Sequence, residues 1–132
     1  MRSELVISSL LNVAGITSIV GTRCARVRLP QNTDWPALVY EQIDGVPVLP
    51  MDATAGGNIT RARVQITALA RSFDVMDSLL EAVRVACSFK SGVINTVTVI
   101  AVLPDATQPV LRDDDAAVFY QSTDFQVTYV EP

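Results

Sequence analysis

Asp113-Asp114-Asp115 is the densest run of potentially reactive side chains in this sequence. Three adjacent carboxylates could hold a divalent cation. However, the spacing is not that of an EF-hand, and no glycine or distal glutamate completes such a loop. A charge run of this kind ordinarily forms a solvated loop. The chain contains no histidine, which removes the commonest general base, the usual triads and most zinc sites. Cys24 and Cys87 lie far apart, and a cysteine nucleophile here would lack its usual partner. Met1-Arg2-Ser3-Glu4 puts an acid directly before the first apolar segment, which does not suit a signal peptide. Two free thiols are therefore expected rather than a disulfide. There is no GxGxxG and no GxxxxGK[ST]; Gly56-Gly57 is a lone pair that reads as a loop device. Trp35 and Tyr40, near Arg26 and Arg28, are the ingredients of a base-stacking platform. The acidic total and the lack of a basic cluster favour core packing for them instead. The sequence thus predicts no enzyme, no cofactor and no metal.

The basic residues are more informative. Nine of the ten are arginine, the exception being Lys90, and the net charge is -4. Arginine suits planar, bidentate pairing with carboxylates and hence protein interfaces, although compositional bias accounts for the count equally well. Arg61, Arg63 and Arg71 share one face of a single segment. They either sit on the wet face of an ordinary strand, with acidic partners in the same sheet, or pair with acids of a neighbouring subunit.

That segment, 58–71, is a long alternating strand. Ala62, Val64, Ile66, Ala68 and Ala70 fall on its apolar face at period two. At about 3.4 Å per residue it reaches roughly 40 Å, so part of it is expected to project and seek a partner. Ser72 then caps a helix over about 73–90, with Met76, Leu79, Leu80, Val83, Ala86 and Cys87 as its buried stripe. Another helix covers about 4–14, capped by Ser3 and stopped by Gly15, and one more turn over 16–20 is closed by Gly21. Strands are expected over 23–29, 37–43, 93–103, 110–112 and 117–130. In the last, Phe125, Val127 and Tyr129 share one face. Residues 45–58 read as a long loop. Val46, Val48, Leu49 and Met51 make it too apolar for plain solvation, so they are expected to make intermolecular contacts.

A chain of 132 residues suits one domain, 1–132. No apolar run approaches the roughly 18 residues of a membrane span.

The order and spacing of the motifs resemble a known family. They are Val20-Gly21-Thr22-Arg23, Leu29-Pro30-Gln31, Trp35-Pro36-Ala37-Leu38-Val39-Tyr40, Val64-Gln65-Ile66, Ala70-Arg71-Ser72-Phe73, Leu80-Glu81-Ala82-Val83-Arg84 and Asp124-Phe125-Gln126-Val127. Over nearly its whole length the chain resembles the tail-completion, or tail-terminator, proteins of long-tailed bacteriophages. The resemblance implies an α+β fold: an antiparallel sheet, two helices packed on one face, long strands and an extended loop. It implies a virion protein at the head-proximal end of the tail, assembled in the host cytoplasm. There it forms a homomeric ring, usually a hexamer, that ends tube polymerisation. Its partners would be the major tail tube protein and a neck or head-completion protein, with genomic DNA passing through unbound and no membrane involved. The alternative is a neck or head-completion adaptor or stopper, and a less favoured one is a small ligand-binding module. In such a ring the lumen is expected to be neutral to acidic. Asp113, Asp114 and Asp115 would either line it or pair with arginines of a neighbour such as Arg61, Arg63 or Arg71.

Overall fold

The computed structural model describes residues 2–21, 23–28, 35–48, 58–115 and 117–131. Helices α1 (Arg2–Leu11) and α2 (Ala14–Val20) precede β1 (Cys24–Arg26), β2 (Ala37–Val48) and β3 (Asn58–Ala70). Helix α3 (Phe73–Cys87) follows, then β4 (Lys90–Ile94), β5 (Val97–Thr107), β6 (Leu111–Asp113) and β7 (Val118–Glu131). The seven strands form one sheet in the order β1-β2-β3-β7-β5-β4, with β6 also on β7. All pairings are antiparallel except β1 with β2. The α+β class is as expected, with α2 as a third, short helix.

The period-two alternation of β3 and β7 is what makes the sheet one-sided. Ala62, Val64, Ile66, Ala68, Phe125 and Val127 are each fully buried on the helix side. Against them α3 sets Met76, Leu79 and Val83, and α1 sets Val6 and Ile7. β3 lies between β2 and β7 along its whole length, so it does not project as its length suggested. The exposed stretch is instead the far half of β2, residues 43–46.

Several boundaries differ from the sequence expectation, each for a local reason. Residues 45–48 continue β2, pairing with β3 up to Val48 opposite Ile59. Gly15 lies inside α2 and does not end α1, which stops at Leu11. The two helices meet at 81°. The expected strand 93–103 is a hairpin, because Asn95 and Thr96 both take positive φ, 49° and 66°, as a type I′ turn requires. Gly92 sits within β4 at φ 99° next to a register shift and does not stop α3, which ends at Cys87 where Ser88 turns extended at φ -71° and ψ 134°. β5 passes through Pro104, where the ladder to β7 is interrupted between Pro104 and Thr107; a bulge or irregularity is where a sheet tolerates proline. Ser3 is not an N-cap. It lies inside α1, fully buried, and its hydroxyl donates to the Gln42 side-chain oxygen.

Candidate assembly surface

Opposite the helices, the sheet presents a polar face shaped by one irregularity in β2. Gln42 pairs with Val64 and Asp44 with Arg63, so Ile43 is an extra residue. A bulge shifts every later side chain of its strand to the other face relative to strict alternation. Asp44 and Val46 thereby join the side that carries Arg63 and Arg61. The bulge is pinned from the helical side: the Gln42 backbone N–H donates to Glu4 Oε2 at 3.4 Å. Glu4 is also 3.9 Å from Arg26 of β1. A Cβ at Gly45 would lie 2.8 Å from the Gln42 amide nitrogen, the tip of a side chain that would have to swing aside.

Arg63 sits between two acids of its own sheet, 3.7 Å from Asp44 and 3.9 Å from Asp124. The same-sheet partner reading therefore holds for this arginine. The Asp124 side chain is only 4 % exposed. Burial pushes its carboxyl above the ordinary range, while Arg63 and a hydrogen bond from Gln65 pull it back. Asp124 Oδ1 and Arg63 Nε are buried without a hydrogen-bond partner among the described residues. Asp44 and Asp124 were not singled out as site residues by sequence reasoning. The only available signal was the position of Asp124 on the wet face of an alternating strand. Farther along, Thr67 and Ser122 share a hydrogen bond at 2.8 Å.

Past that pair, at the end of the sheet where β2 and β7 begin, lies a cavity of about 370 Å³. Val27, Trp35, Val39, Leu69, Val118 and Tyr120 supply its apolar and aromatic walls, and Glu41 and Asp113 its charge. Val27 enters it from a strained backbone. Its φ is 71°, and the Arg28 N–H donates to the Arg26 carbonyl at 2.8 Å. That is a three-residue γ-turn with a β-branched residue in the left-handed region, a conformation costing about 1–2 kcal/mol.

The acidic run divides into separate roles. Asp113 ends β6, lines the cavity and accepts a hydrogen bond from the Asp115 backbone N–H at 3.0 Å. Asp114 pairs with Arg112, whose guanidinium lies 5.6 Å above the Phe119 ring. Asp115 is exposed in the turn. Within one chain none of the three is ion-paired, among the described residues, to Arg61, Arg63 or Arg71. Arg61 and Arg71 are exposed. Val46, 59 % exposed, faces Arg61 across the β2–β3 ladder. The backbone of Val48 closes that ladder, and Leu49 and Met51 lie outside the described residues.

On the helical side, an open groove of about 600 Å³ runs between α2 and α3 past Val13, Ala82, Val85 and Ala86. Val85, Phe89 and Val93 are 70–75 % exposed. Both cysteines are free, and burial pushes their thiols up, Cys24 to about 11 and Cys87 to about 12. Neither is poised as a nucleophile, since the thiolate is the reactive form. No single helix among the described residues is long and apolar enough to cross a membrane.

The family described as tail completion protein gp17 matches residues 4–130. The chain belongs to that family. It is accordingly a structural tail protein. A chain from a solved structure described as the virion of a native gene transfer agent particle has the same fold. The TM-score is 0.77 over 97 % of this chain and 96 % of that one, at 12 % identity. No curated protein sequence matches.

Proposed function

We propose that this tail completion protein forms a closed homomeric ring, a hexamer, on the head-proximal end of the tail tube. There it ends tube growth and offers its other side to a neck protein. Family membership across residues 4–130 carries this reading. Two features support it. Among the described residues the most exposed large apolar side chains are Val85, Phe89, Val93 and Val46, which a partner in an assembly would cover. Val46 lies near the end of β2, and we assign Val46, Val48, Leu49 and Met51 to contact with the tube or a neighbouring subunit. DNA passes through the centre without specific binding, and the lumen is neutral to acidic. A net charge of -4 supports this, because each phosphate held by a cation would add friction.

The decisive experiment is imaging of labelled protein in virions together with a copy count. Six copies at the tail side of the head–tail junction, and over-long tails when the gene is deleted, are expected. One or two copies would end the ring reading. A position on the portal side, with tails of normal length after deletion, would replace it with a neck adaptor.

A further inference from the structure

We propose that the cavity at the Trp35 end of the helix-free face receives Arg61 of a second copy of this chain in a head-to-tail contact. The inference rests on the ring reading and deepens it.

The cavity suits an arginine. Its walls are apolar and aromatic, with Trp35 and Tyr120 offering ring surfaces, while Glu41 and Asp113 supply two carboxylates. A guanidinium stacks on aromatic rings and pairs with carboxylates in the same pose, which a lysine ammonium does not do. Val27, held at φ 71°, borders the site, and strained residues of this kind persist where the surroundings fix them, often at contact sites.

Among the arginines whose side chains are described, charge and distance point to Arg61. Arg23, Arg26, Arg63, Arg84 and Arg112 are engaged within their own chain. Arg28 and Arg71 adjoin the cavity end of the sheet, next to Val27 and at the end of β3. Arg61 lies at the opposite end, on the same face as Leu69, which lines the cavity. Eight residues of strand separate them, about 27 Å at roughly 3.4 Å per residue. No arginine side chain spans that distance, so a chain cannot fill its own cavity with Arg61. Val46, beside Arg61 on the same face, adds apolar surface to match the cavity walls. Two different patches at opposite ends of one face make a heterologous contact. Such a contact must close into a ring or run on as a filament.

The test uses charge exchange on the full chain, with self-association followed by sedimentation. Trp35 is the only tryptophan, so its emission reports occupation of this cavity. For the natural chain, Trp35 emission should change over the same concentration range as the mass increases. Arg61→Glu alone and Glu41→Arg alone should each weaken association by about tenfold or more, the scale of losing an interfacial anchor. The double variant, and an equimolar mixture of the two single variants, should recover it. Circular dichroism melts check that each variant folds. Rings that form with unchanged Trp35 emission, or association indifferent to Arg61→Glu, would overturn this contact and leave the ring reading standing. Loss in both single variants without recovery in the double variant or the mixture would also overturn it. A chain that stays monomeric alone and on tail tubes would overturn both readings.

Discussion

Replacing Arg63 with methionine isolates the electrostatics of the polar face. Arg63 keeps two carboxylates company, Asp44 at 3.7 Å and Asp124 at 3.9 Å. A unit-charge pair near 4 Å is worth roughly 4 kcal/mol gross at an effective dielectric of about 20. Arg63 and Asp44 are 41 % and 52 % exposed, so solvent screening removes most of that between them. The Asp124 side chain is 4 % exposed, and stranding its charge carries the larger cost. A net loss of about 1–2 kcal/mol at pH 7 is expected. The sign of the pH dependence follows from the raised carboxyl of Asp124. Between its unfolded and folded pKa values the folded state holds more protons. Its contribution to stability is therefore fully present below the unfolded value and lost as pH rises through the folded one. Removing Arg63 pushes the carboxyl further in the same direction. The Arg63→Met penalty should thus shrink at acid pH, and Asp124→Asn should largely abolish it at pH 7. Asp124→Asn alone should flatten the decline in stability above the ordinary carboxylate range. Urea unfolding at several pH values, read by far-UV circular dichroism, measures all of this. An Arg63→Met penalty that is the same at acid and neutral pH would refute the reasoning. So would an Asp124→Asn variant that loses stability at pH 7.

Leu79→Ala, at a fully buried position of α3, should cost about 2–5 kcal/mol and lower Tm by roughly 10 °C in a calorimetric scan. Thr96→Gly relieves a β-branched residue at φ 66°; it should stabilise the fold by ~0.5–1 kcal/mol after the entropic cost of glycine, by urea titration. Changing Asp113, Asp114 and Asp115 together to asparagine should reduce ring assembly, by native mass measurement, and leave the rate of DNA ejection unchanged. Slowed ejection with normal assembly would return these residues to the lumen. Replacing Leu49 and Met51 with serine should leave the melting curve intact and weaken assembly on tail tubes.

Much of this molecule was legible in one dimension because its central elements obey simple periods. β3 alternates polar and apolar residues strictly from Arg61 to Ala68, and β7 does so from Asp124 to Tyr129. α3 repeats Met76, Leu79, Leu80, Val83 and Cys87 at helical spacing, and all five are buried. Such periods fix which side faces the core whatever the neighbours do. The motif order likewise pointed to the tail completion family from the sequence alone. The sequence could not reveal the places where the period breaks. The extra residue at Ile43 turns Asp44 and Val46 to the opposite face from strict alternation, and only pairing with β3 decides where that residue is absorbed. The β4–β5 hairpin hides in a run of β-branched residues because its turn is Asn-Thr, not the Asn-Gly that announces a type I′ turn. Ser3 and Glu4 carry the signature of a helix start, but the tertiary contact with Gln42 recruits them to clamp the bulge. The cavity draws Val27, Trp35, Glu41, Leu69, Asp113 and Tyr120 from five separate segments. No local pattern can encode such a meeting, because register and strand order alone bring those residues together.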